Sequence, residues 1–135
     1  MPEFEMPQSA GRTFAQLDST LRGYIEAAFF TECHCDNPDL ESATFDDLAP
    51  ETLANMASDC ARFESMIENA PWPEEFDLDY EKLGRDLWFT RNGHGVGFWE
   101  SDRWPEAAGA VCTAAAKALG TSDLYRGDDG RVYVS

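Results

Sequence analysis

From Phe14 to Phe30 apolar residues fall at Phe14, Leu17, Leu21, Tyr24, Ile25, Ala28 and Phe29, the three-and-four spacing of one buried helical face. Asp18, Arg22 and Glu26 lie on the other side, and the run His34-Cys35-Asp36-Asn37-Pro38-Asp39 breaks the pattern. Pro50, beside Glu51, opens a second helix in which Leu53, Met56, Ala57, Cys60, Phe63 and Ile67 repeat at helical spacing until Asn69 and Pro71. In the stretch that follows, Asp77, Asp79 and Glu81 alternate with Leu78 and Tyr80. Two readings fit. An extended strand would point three carboxylates one way at roughly 6.7 Å intervals; the first turn of a short helix running to Leu83 would use the acids to favour the helix N-terminus.

Beyond residue 84 the pattern predicts strands around one helix. Asp86–Arg91 and Val96–Trp99, joined through Asn92-Gly93, predict a hairpin, because Asn-Gly supplies the positive φ of a tight turn. Pro105 opens a helix with Ala108, Val111, Cys112, Ala115 and Leu119 on its buried stripe, and Gly120 closes it. Residues 123–126 and 131–134, across Gly127-Asp128-Asp129-Gly130, predict a second hairpin. The expected fold is α+β, with N-terminal helices packed on a small antiparallel sheet of ββαββ order in the C-terminal half. Residues 1–135 are expected to form one domain, acidic and helical over about 13–83 and hairpin-helix-hairpin over about 84–135.

The chain has 135 residues with 43% apolar and 13% aromatic content, enough for a core and unlike a disordered acidic polymer. Its formal charge is −16, which argues against direct binding to DNA, RNA or an anionic membrane and favours a basic partner. No stretch approaches the roughly 20 apolar residues of a membrane span. The start, Met1-Pro2-Glu3-Phe4-Glu5, lacks the pattern of a signal peptide, so a cytoplasmic protein is expected.

The distribution of charge says more than its total. Residues 24–81 carry sixteen acids against the single base Arg62, hence −15, while the other 77 residues carry ten acids and nine bases, hence −1. Within that middle, Glu64 and Glu68 stand four apart, a like-charged helical pair that costs a few tenths of a kcal/mol. The candidate partner-binding acids are Asp36, Asp39, Glu41, Asp46 and Asp47 between the first two helices, and Glu51, Asp59, Glu64 and Glu68 on the second. Glu74, Glu75, Asp77, Asp79 and Glu81 complete the set, with Trp72 as an aromatic anchor.

Other chemistry is less developed. Cys33, His34, Cys35 and Cys60 offer metal-preferring atoms, but not at zinc-knuckle spacing, so they read as thiols. His94, beside Arg91 and Asn92 in the expected hairpin, has no convergent nucleophile or carboxylate. Gly93, Gly95 and Gly97 complete no phosphate-binding pattern. Asp128-Asp129 lacks the alternating ligands and distal Glu of a calcium loop. No metal and no cofactor is expected.

The block Trp88-Phe89-Thr90-Arg91-Asn92-Gly93-His94-Gly95-Val96-Gly97-Phe98-Trp99, with Ser122-Asp123-Leu124-Tyr125 and Gly127-Asp128-Asp129-Gly130-Arg131-Val132-Tyr133-Val134, resembles a family of small proteins of phages and other mobile elements. The resemblance covers about the last third of the chain; it implies a mobile-element setting and carries over no functional residue. The overall acidity resembles that of DNA mimics that block host defence, including anti-CRISPR and antirestriction proteins. The expected function is therefore non-catalytic: a carboxylate-rich face that occupies the basic channel of a host nucleic-acid-binding protein. The alternatives are a small enzyme or ligand-binding protein using Arg91, Asn92 and His94, and a phage assembly adaptor.

Overall fold

The fold is given by a computed structural model, which describes residues 14, 17–33, 40, 43–93, 97–100 and 102–134. Among the described residues four helices carry it: α1 (Ser19–Cys33), α2 (Pro50–Met66), α3 (Tyr80–Arg91) and α4 (Glu106–Ala118). A short 3-10 turn, Phe45–Asp47, precedes α2, and two strands, β1 (Leu124–Arg126) and β2 (Val132–Val134), follow α4. The strands pair antiparallel, Leu124 opposite Val134 and Arg126 opposite Val132. The Val132 carbonyl ties this hairpin to the start of α2, accepting from Ala49 N at 3.1 Å and from Thr52 Oγ1 at 2.9 Å. α2 begins where Pro50 stands in its first turn, a position where the missing N–H loses nothing.

The core lies where α1, α2, α3 and the approach to α4 meet. Tyr24 from α1, Phe63 from α2, Trp88 from α3, and Phe98 and Trp104 from the 97–104 segment are fully buried. Phe98 stacks on Phe63 at 5.5 Å and meets Trp104 edge-on at 5.0 Å, geometries that suit the ring quadrupoles. α1 and α3 approach so closely that two glycines are required. A Cβ built on Gly23 stands 1.9 Å from the Glu81 carbonyl oxygen, and one built on Gly84 stands 1.9 Å from that of Thr20. Each helix thus presents bare backbone to the other.

The α+β class holds, but the ββαββ order does not. Residues 86–91, expected as a strand, are the second half of α3. The helix starts with Asp79 as N-cap, its Oδ1 accepting from the backbone N–H groups of Glu81 and Lys82 at 3.0 and 3.2 Å. Its buried residues include Leu83, Leu87, Trp88 and Arg91, a three-and-four spacing that the aromatic and β-branched content of 88–90 conceals. Asn92-Gly93 does deliver a positive φ, +72° at Gly93, but as the stop of a helix: Asn92 is the C-cap and Gly93 N donates to Thr90 O at 3.2 Å. A left-handed residue ends a helix as readily as it turns a hairpin. The structure describes residues 97–99 as bend and turn, so no first hairpin pairs them with 86–91. Of the two readings for 77–81, the helical one holds from Tyr80 onward. The predicted helix at 105–119 and the second hairpin are both present, with Gly127–Gly130 as the turn.

Candidate functional site

The buried charges are structural. The Arg91 guanidinium is almost wholly enclosed and makes four hydrogen bonds: Nε to Gly120 O at 2.7 Å, Nη1 to Tyr24 Oη at 2.8 Å and to Asp59 Oδ2 at 2.9 Å, and Nη2 to Leu119 O at 2.9 Å. One side chain thereby joins α3 to α1, α2 and the end of α4. Burial works against its charge, but Tyr24 and Asp59 outweigh it and hold the guanidinium above its usual range. Burial likewise drives the Tyr24 hydroxyl well up, against the lowering effect of Arg91. Asn92 is occupied too, its Oδ1 accepting from Ser122 N at 2.7 Å and its Nδ2 donating to Trp88 O at 3.1 Å. Arg91 and Asn92 therefore act as internal fasteners, and His94 lies outside the described residues.

A second buried centre surrounds Asp86, a fully enclosed carboxylate. It accepts from the Trp104 indole N–H and, at 3.1 Å, from Arg103 Nη2. Desolvation raises its carboxyl above the ordinary range, although both partners pull the other way. Burial pushes the Cys112 thiol up to about 12 and the Cys60 thiol well above its usual range. Both are inert free thiols in the core. Among the described residues no cluster of His, Cys, Asp or Glu is arranged to hold a metal. Cys35 and His34 lie outside them, as does the side chain of Cys33.

The candidate partner-binding acids divide into two groups. Several have internal duties: Asp59 pairs with Arg91, Glu81 pairs with Arg22 at 2.8 Å, and Asp79 caps α3. Asp47 Oδ2 accepts from Thr44 N at 2.9 Å, and Glu64 Oε2 accepts from Thr20 Oγ1 at 3.0 Å. Glu68, Glu74, Glu75 and Asp77 are exposed, and none of their carboxylates has a hydrogen bond or ion pair among the described residues, which also holds for the exposed Asp46 and Glu51. Asp36, Asp39 and Glu41 lie outside the described residues.

The unengaged acids concentrate between α2 and α3. Residues 67–79 contain Glu68, Glu74, Glu75, Asp77 and Asp79 and no base. Arg22, Arg62, Arg85, Arg91 and Arg103 are in ion pairs within the fold. The loop is held in place by its aromatics: Trp72 stacks on Phe76 at 5.7 Å, both rings reach Trp104 at 6.1 Å, and the Trp72 indole donates to Ile67 O at 3.3 Å. Carboxylates on a loop anchored this way stand on a fixed base.

Beside that loop is a groove of about 270 Å³. Ile67, Leu78 and Leu83 give it an apolar lining, Trp72 and Tyr80 an aromatic one, and Glu64 and Glu68 contribute carboxylates; among the described residues no base lines it. Sequence reading found Glu64, Glu68 and Trp72 but missed Tyr80 as a groove residue. The alternation of Leu78 and Tyr80 with acids was the available signal. Tyr80 is about half exposed even though it is the first residue of α3.

No family model, no curated protein and no solved structure matches this chain.

Proposed function

We propose that the protein is a non-catalytic DNA mimic, of the anti-CRISPR or antirestriction type, that inhibits a nucleic-acid-binding defence system in the host bacterial cytosol. The observation that carries this reading is the base-free stretch 67–79, where Glu68, Glu74, Glu75 and Asp77 stand exposed and unengaged among the described residues. A duplex presents one negative charge per roughly 1.7 Å of axis, so a protein that binds it displays a basic groove. Carboxylates held on a folded support compete for that groove and release its counterions as the duplex does. The arginines paired within the fold leave these acids unneutralised. The reading narrows to Glu68, Glu74, Glu75 and Asp77, with Glu64, Asp46 and Glu51 as further contributors, because Asp59 and Glu81 are already paired with arginines. The likeness of the 88–99 and 122–134 blocks to small phage and mobile-element proteins agrees with a setting in which such an inhibitor operates.

The test starts by capturing basic nucleic-acid-binding complexes from bacterial lysate on the immobilised protein at low salt and eluting them at high salt. The DNA binding of the captured complex is then measured with wild-type protein and with the Glu68→Lys, Glu74→Lys, Glu75→Lys, Asp77→Lys variant. Suppression by the wild type and none by the variant is the expected result. A complex whose DNA binding is unaffected by the wild type, or suppressed equally by both, would overturn the proposal.

A further inference from the structure

We propose that the groove between the end of α2 and the start of α3 receives an arginine side chain of the protein partner. This rests on the reading above that the partner is basic, and assigns the place where one of its side chains is read individually. Pockets for drug-sized ligands run from about 300 Å³ upward. The groove, at about 270 Å³, lies just under that size and has room for one long side chain.

Its lining matches such a side chain part by part. Ile67 and Leu83 are buried residues of its lining, apolar surface against which an aliphatic stem can lie while its charged head stays near water. Trp72 and Tyr80 offer aromatic rings to a cation. Glu68 is exposed and unengaged, and Glu64 keeps Oε1 without a partner among the described residues, since Thr20 takes Oε2. The end of α2 adds the negative pole of a helix dipole. The opposing pole at the start of α3 is already met by the Asp79 carboxylate. Aromatic rings together with carboxylates favour guanidinium over ammonium, because the planar, weakly hydrated group stacks on rings and offers paired N–H donors.

The experiment compares capped hexa-arginine and hexa-lysine peptides, of equal charge, binding to the full chain at low salt. Calorimetry gives the affinity and the four tryptophan indole N–H resonances give the place. The arginine peptide is expected to bind more tightly, by about threefold or more, and to move the Trp72 indole signal most. Tyr80→Ala is expected to erase the preference. Glu68→Gln is expected to weaken arginine-peptide binding about fivefold more than Glu75→Gln, which removes the same charge from the same acidic loop outside the groove. Far-UV circular dichroism checks that both variants remain folded, and Glu68→Gln keeps the test sound should Tyr80→Ala perturb α3. Equal affinity for the two peptides, with equal effects of Glu68→Gln and Glu75→Gln, would overturn the groove and leave charge mimicry standing. Failure of both peptides to bind at low salt would overturn the basic-partner reading itself.

Discussion

At the C-terminal end of α3 the guanidinium of Arg91 is held by four hydrogen bonds, whereas ahead of the N-terminal end Glu68, Glu74, Glu75 and Asp77 have no partner among the described residues. Both regions are rich in charge, and they use it in opposite ways. A buried ion stays charged only where the fold supplies acceptors enough to replace water, so the surroundings of Arg91 are specified by the architecture. An exposed carboxylate is already solvated and contributes little to folding. Apart from the Asp79 cap of α3, no hydrogen bond or ion pair among the described residues gives a stability reason for grouping acids with no base over residues 67–79. That group is the part of the molecule most readily assigned to an outside partner.

The sharpest way to break the contrast is to remove the buried charge. Arg91→Ala is expected to cost about 3–5 kcal/mol, because Asp59 and Tyr24 lose their shared donor and the α4 end loses its attachment. Arg91→Lys is expected to recover only a minor part, since one ammonium cannot reach acceptors arranged for a planar fork. Urea denaturation of the three proteins checks both, and a loss under about 1 kcal/mol for Arg91→Ala would show that the cluster is not structural. Next in size is Gly84→Ala. Its new methyl meets the Thr20 carbonyl at 1.9 Å, backbone that cannot rotate away, so α1 and α3 must separate at a cost of about 3 kcal/mol. The same denaturation series measures it.

How much of this was legible in the sequence depends on the element. α2 and α4 were readable because a proline at the start and a continuous apolar stripe agree. α3 was concealed because Leu87, Trp88, Phe89 and Thr90 look like a strand locally, and Asn92-Gly93 serves two geometries with the same left-handed residue. The helical signal lay in the spacing of Leu83, Leu87 and Arg91, which runs across residue 84. Gly23 and Gly84 gave no signal alone, since each has meaning only opposite the other helix. At the candidate site, the acids and Trp72 were visible from charge density, but the division between paired and unpaired carboxylates was not. Asp59 and Arg91 are 32 residues apart, and Glu81 and Arg22 are 59 apart; only the tertiary fold pairs them.

Asp86 sharpens the comparison through pH. Its carboxyl is raised in the folded protein, chiefly by desolvation, while in the unfolded chain it titrates near about 3.9. Between those two values the folded state holds more protons than the unfolded state, so this group's contribution to stability falls as pH rises. Asp86→Asn removes that dependence and keeps an oxygen acceptor for the Trp104 indole. The stability of wild type minus variant, followed by urea midpoint from pH 4 upward, is therefore expected to decline with rising pH. A difference that stays flat or grows would show that Arg103 and Trp104 outweigh burial. Asp86→Ala leaves that indole without its acceptor and is expected to cost about 1–3 kcal/mol at any pH in the range.

The smallest expected effect on stability belongs to the region proposed to matter most for function. The Glu68→Gln, Glu74→Gln, Glu75→Gln, Asp77→Asn variant touches no hydrogen bond or ion pair among the described residues, so its stability should stay within about 0.5 kcal/mol of wild type. The direction is a gain, because four like charges on one short segment repel and their removal relieves that repulsion. Added salt screens the same repulsion. The wild type is therefore expected to gain more stability from salt than the variant does, while the variant loses low-salt binding to a basic partner. A variant that unfolds easily would place these carboxylates with Arg91, as parts of the architecture, and remove the ground for reading them as a surface directed outward.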